Sequence, residues 1–94
     1  MRTPKRTFRI DSLDAPDFRL RHPLALTVSE GPQGITVTWD ELGESAQGPT
    51  EEEAAANLKQ ALAELYFLLR AAEGHLGPKE AAQLDLMKEV IDEP

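Results

Sequence analysis

Polar and apolar residues alternate along most of the first half of the chain, and then the rhythm changes. Thr7-Phe8-Arg9-Ile10-Asp11-Ser12 has the two-residue period of a half-buried strand. Leu13-Asp14-Ala15-Pro16-Asp17 carries turn chemistry. Phe18-Arg19-Leu20-Arg21 resumes the alternation just before Pro23, which predicts an edge strand or an extended arm. Further on, Leu24, Leu26 and Val28 point one way while Ala25, Thr27 and Ser29 point the other. Gly31-Pro32-Gln33-Gly34 interrupts the run, and Ile35, Val37 and Trp39 continue it against Thr36, Thr38 and Asp40. Two alternating runs around a Gly/Pro turn predict a β-hairpin, and the β-branched content of the second run supports it. A brief third strand over 44–47 follows the Leu42-Gly43 bend.

At Thr50 the period becomes helical. Thr50 and Glu53 form a capping box: the threonine hydroxyl takes an orphan helix N–H, and the glutamate reaches back to the cap. Glu51, Glu52 and Glu53 also suit the positive end of the helix dipole. The helix should run to about Glu73, stopped by Gly74 and Gly77, with Ala54, Leu58, Ala61, Leu62, Leu65, Leu69 and Ala72 in one apolar stripe. Gly77-Pro78 suits the start of a second, short helix, since proline at the first helical position loses no needed N–H. There Leu84, Met87 and Ile91 share a face, with Leu86 and Val90 turned elsewhere. The pattern therefore predicts an α+β fold: a three- to four-stranded antiparallel sheet, one long helix packed on a face, and a short C-terminal helix.

Length adds that 94 residues make a single domain with a modest core, for which self-association is a common remedy. The absence of cysteine excludes disulfides, thiolate metal sites and cysteine nucleophiles. Met1-Arg2-Thr3-Pro4-Lys5-Arg6 has no apolar run behind it, so a signal peptide is not expected. The apolar stretch from Ala61 to Ala72, broken by Glu64 and Arg70, is too short to span a bilayer. A cytoplasmic protein without membrane contact is the expectation.

Charge divides the chain. The net charge is −7, yet residues 1–22 hold six basic groups (Arg2, Lys5, Arg6, Arg9, Arg19 and Arg21) against three acidic ones. The remainder holds four basic and fourteen acidic groups, which should repel phosphates and attract basic partners. The six N-terminal cations are candidates for nucleic-acid contact. The competing reading, that they keep an edge strand soluble, is preferred because the acidic body opposes a duplex. Asp40, Glu41 and Glu44 crowd together in sequence, but Asp40 and Glu41 alternate sides of a strand and cannot easily share one ion. A solvated acidic loop explains them better than a metal site. His22 and His75 lack any base–orienter partner visible in sequence, and no phosphate-binding glycine motif is present. No catalytic residue, metal site or cofactor is expected.

Phe67 lies about 200° round the long helix from Leu65, opposite the apolar stripe, with Tyr66 at the stripe's flank. An outward aromatic needs a cover, supplied by the second helix folding back, by a second copy or by a partner. Trp39 ends its strand, and its alternation with Ile35 and Val37 assigns it to the core, half buried at the strand's end.

Ile35-Thr36-Val37-Thr38-Trp39, Asp40-Glu41-Leu42-Gly43, Glu44-Ser45-Ala46-Gln47-Gly48 and Pro49-Thr50-Glu51-Glu52-Glu53-Ala54 follow one another as a strand ending in an aromatic, an acidic-Leu-Gly segment, a short strand and a capped helix. Asn57, Leu58, Ala61, Leu62 and Leu65 continue the helix. Over residues 24–73 this order resembles the HicB antitoxin family. Residues 1–23 form an N-terminal arm or extra strands outside the family's core, and 74–94 form the C-terminal helix. The resemblance implies a partial RNase H-like fold without nuclease acids, a tendency to dimerise, and a partner: a small basic HicA-like RNase toxin, covered on its active surface. On the antitoxin reading Trp39, Asp40, Glu41 and Glu44 are the candidate partner contacts, and the outward aromatic position makes Tyr66 and Phe67 the candidates for self-association into a homodimer or tetramer. The chain departs from the family in having only Gly43 where a Pro-Gly is usual. The 74–94 segment is also too short for the family's DNA-binding domain, so promoter repression does not carry over. Three alternatives to the antitoxin remain: a nucleic-acid-binding regulator using the basic arm, a solitary dimerisation module without a toxin, and a metal-dependent hydrolase, the least favoured.

Overall fold

In a computed structural model, which describes residues 6–15 and 18–92, the chain is α+β. The elements run β1 (Arg6–Ile10), β2 (Arg19–Leu20), β3 (Leu24–Gly31), β4 (Gly34–Trp39), β5 (Glu44–Gly48), α1 (Glu51–Ala71), α2 (Pro78–Val90) and β6 (Ile91–Asp92). Strands β1, β3, β4 and β5 form one antiparallel sheet in that order, and β2 pairs with β6 in a second, two-stranded sheet. The hairpin, the short strand after the Leu42-Gly43 bend and both helices therefore stand where the pattern predicts them.

Alternation decides which face of the sheet is covered. Leu24, Leu26, Val28, Val37 and Trp39 are buried, and α1 lies over them along β4 and β5. The core continues through Ile10, Leu13, Leu58, Leu62 and Leu69 to Leu84, Met87, Val90 and Ile91. Among the described residues no polar or charged residue is buried, so the interior carries no desolvation penalty of the kind an unpaired polar group brings.

The entry of α1 is held at three points. Thr50 Oγ1 accepts from the Glu53 amide at 3.1 Å, the cap predicted from sequence. Asn57 Nδ2 donates to the Gln47 carbonyl at 2.8 Å, tying the second turn of the helix to the edge strand it has just left. Gly48 lets the two backbones meet, since a Cβ there would stand 2.6 Å from the Ala54 nitrogen.

Two features differ from expectation. Of the edge strand or arm expected over 18–21 the strand forms, but outside the main sheet: Arg19 and Leu20 pair with Asp92 and Ile91. Pairing partners so distant in sequence leave no local signal. In addition, α2 ends at Val90, whose side chain turns into the core, while Ile91 is already extended and buried as part of β6. The helix therefore buries Leu84, Met87 and Val90.

Leu58→Ala removes a side chain with no exposed surface at the centre of the α1–sheet contact. It should cost about 2–5 kcal/mol. Thr50→Ala, which removes only the cap, should cost about 1 kcal/mol. Urea titrations of both variants against the parent check the order.

Candidate functional site

The side of the sheet away from α1 is uncovered among the described residues. Thr7, Thr27, Thr38 and Ser45 stand opposite one another in a row across all four strands. Ser29, Thr36 and Gln47 form the next row. Gln47 Nε2 donates to Thr36 Oγ1 at 3.2 Å, and the Thr27 hydroxyl donates to Asp40 Oδ2. This face is mostly short in side chain and lined by hydroxyls and an amide, with Arg9 beside Thr7 on β1 its one long basic side chain among the described residues. Such a surface tolerates water and still offers many hydrogen bonds to a partner.

The acidic segment borders it. Residues 40–43 form a turn rather than an extension of the strand, with the Leu42 and Gly43 amides donating to the Trp39 carbonyl at 3.2 and 2.8 Å. Asp40 and Glu41 are exposed in that turn, and Asp40 leans back onto the open face through Thr27. Glu44 pairs with Trp39 and so belongs to the α1 side of the sheet. The three carboxylates therefore do not converge. No group of metal-ligating side chains is assembled among the described residues. Trp39 is only 2 % exposed. Its indole is part of the core beneath the turn and presents no surface to a partner in the isolated chain.

The aromatics of α1 separate. Tyr66 is 2 % exposed and meets the Phe18 ring edge-on, with centroids 5.1 Å apart at 90°. Phe67 is 65 % exposed. Leu68 is 63 % exposed. Relative to the expected stripe the buried face is rotated toward Tyr66, because Phe18 covers that flank. Leu65 is left half-buried, and Leu68 faces solvent. Ala63, Glu64, Phe67 and Leu68 line a shallow apolar depression of about 390 Å³.

Two of the N-terminal cations are engaged in ion pairs. Arg6 pairs with Glu51 and, at 3.6 Å, with Glu30. Arg21 lies 3.7 Å from Asp92. Arg9 and Arg19 are exposed on strands of two different sheets. Arg2 and Lys5 lie outside the described residues. The described members of this set thus form no continuous basic face. His22 and His75 are both exposed.

A compact charge cluster joins the end of α1 to α2. Arg70 Nη1 donates to Glu73 Oε1 at 2.6 Å, and Lys88 Nζ reaches Glu73 Oε2. The hydrogen bond from Lys88, and after it the one from Arg70, hold the Glu73 carboxyl below its ordinary pKa. No helix among the described residues is long and apolar enough to cross a membrane. Comparison of the chain with known family models, with curated proteins and with solved structures finds no match.

Because the Glu73 pKa is lowered in the folded state, its pairing stabilises fully above the ordinary carboxylate pKa of 4.5. That contribution is lost as pH falls from there through the lowered folded value. Glu73→Gln should therefore lose stability near pH 7 relative to the parent, and the gap should close toward pH 3. Added salt should narrow the gap at neutral pH, as expected for a solvent-exposed pair. Urea midpoints across pH and ionic strength measure both effects.

Proposed function

We propose that the chain is a protein-binding module of the HicB antitoxin type, which neutralises a small basic RNase by lying over it. The observation that carries this reading is the uncovered, hydroxyl-lined sheet face, with Asp40 and Glu41 at its margin. A dry apolar face would have to stay covered, whereas this one is stable in water and becomes an interface only when a partner supplies donors. Basic side chains supply them, and a net charge of −7 steers a basic partner into encounter. Residues 35–54, which carry the resemblance to that family, build two strands of the face and its acidic margin. The reading needs neither the Trp39 ring nor the N-terminal cations.

The test pairs this chain with the product of a neighbouring reading frame that encodes a small basic protein. The two should co-purify, and the complex should suppress that protein's cleavage of RNA. Thr38→Arg, placed mid-face, should abolish suppression. Asp40→Lys with Glu41→Lys should slow association about tenfold or more at low salt, as removal of steering charges does. Full suppression by the Thr38→Arg chain would overturn the reading, as would a basic neighbour whose RNA cleavage continues in the chain's presence.

A further inference from the structure

Strand β1 is the outermost strand of the main sheet and pairs only with β3. Which of its backbone groups point outward follows from the hairpin. Gly31 and Gly34 flank the two-residue turn Pro32-Gln33 and face each other, which makes them a hydrogen-bonded pair. In an antiparallel ladder such pairs recur at every second residue. Ser29 and Thr27 therefore bond to β4, and Val28, Leu26 and Leu24 turn their backbone groups toward β1. Their partners there are Arg6, Phe8 and Ile10. The N–H and C=O groups of Thr7 and Arg9 are left pointing away from the sheet. Carried across β4, the same phase turns the Gln47 carbonyl outward from β5, and there it accepts from Asn57. One edge of the sheet is thus occupied by a side chain of α1. The other presents two donors and two acceptors with no partner among the described residues.

An open edge is commonly blunted by a proline or a bulge. β1 has neither, since its five residues hold no proline and pair with β3 in unbroken register. Its side chains alternate as well. Phe8 lies on the core side opposite Leu26, half-buried at the margin of the sheet. Arg9 is exposed on the open side, with no carboxylate on it among the described residues. From residue 2 to residue 9 the chain carries Arg2, Lys5, Arg6 and Arg9 and no acidic residue, within a molecule of net charge −7.

We propose that the outer edge of β1 receives an acidic, extended segment of another protein, which adds a strand antiparallel to β1. Its backbone bonds to Thr7 and Arg9, an apolar side chain covers Phe8, and acidic side chains on the opposite face meet Arg9. Main-chain bonds give such a contact its affinity, and alternate side chains give it selectivity. Charge decides the occupant. Two copies joined at this edge would set cation-bearing strands against each other, and like charges across a strand pair are destabilising. The arginines that keep the edge from its own kind therefore favour a guest of opposite sign. The site lies beside the open sheet face and does not depend on the antitoxin reading.

The probe is a fluorescein-labelled peptide of about eight residues, an ordinary strand length, in which valine and glutamate alternate. Titrated against the full chain and followed by anisotropy, it should bind. Its counterpart with lysine in place of glutamate should bind about tenfold more weakly or worse. N-methylation of the glutamate amides, which lie opposite Thr7 and Arg9, should abolish binding, whereas N-methylation of the valine amides should leave most of it. In the free chain the Thr7 and Arg9 amides should exchange with solvent faster than that of Phe8, and the peptide should slow them. Arg9→Glu should reverse the preference between the two peptides. Thr7→Pro removes an N–H that faces outward, which an edge strand tolerates. It should abolish binding with an unchanged far-ultraviolet dichroism spectrum. A valine–glutamate peptide that fails to bind at millimolar concentration would overturn the proposal. Equal affinity for the lysine peptide, or binding that leaves the Thr7 and Arg9 amides unprotected, would also overturn it.

Discussion

The fold depends on how closely the backbone of α1 approaches the strand it has just left. Gly48 allows a contact with the Ala54 backbone that any side chain would block. Thr50 caps the helix, and Asn57 returns to the Gln47 carbonyl. Together these set the height, tilt and rotation of the helix over β4 and β5. Rotation matters most, because one turn of the helix offers both apolar and polar sides. With the junction fixed, Leu58, Leu62 and Leu69 fall onto Val28, Val37 and Trp39, and each buried side chain contributes on the order of 2 kcal/mol. A helix without those ties would have to find its register by packing alone.

Covering one side of the sheet leaves the other open, and the sequence is written for that outcome. Val28, Val37 and Trp39 point inward, while Thr27, Thr36 and Thr38 alternate with them outward. β-branched threonine keeps the strand conformation favourable and its hydroxyl keeps the surface wet. Likewise, Phe67 and Leu68 are outward because the buried arc of α1 is turned toward Tyr66, on which Phe18 packs, and away from their side of the helix. The two outward surfaces differ in kind. One is polar and made of strands; the other is apolar, narrow and made of a single helix.

Much of this was legible from period alone. The hairpin, the Leu42-Gly43 bend, the Thr50 cap and the Gly77-Pro78 start are local events, each written in a few consecutive residues. Pairing between β2 and β6 was not legible, because nothing near Arg19 announces Asp92. The burial of Tyr66 was missed for a related reason. A helical wheel gives relative angles on one helix, whereas the Phe18 ring that shifts its buried arc arrives from elsewhere in the chain. For the candidate site, the acidic turn was visible in sequence. That Asp40 and Glu44 end on opposite sides of the sheet follows only from the turn between them, which realigns β5 against β4.

The pairing of β2 with β6 joins segments more than seventy residues apart. Closing so long a loop brings an entropic cost that two short strands and the Arg21–Asp92 ion pair offset directly. The pairing acts as a clasp, in which the residues trailing α2 fasten β2 at the margin of the core. A molecule built this way can open at the clasp without losing its sheet.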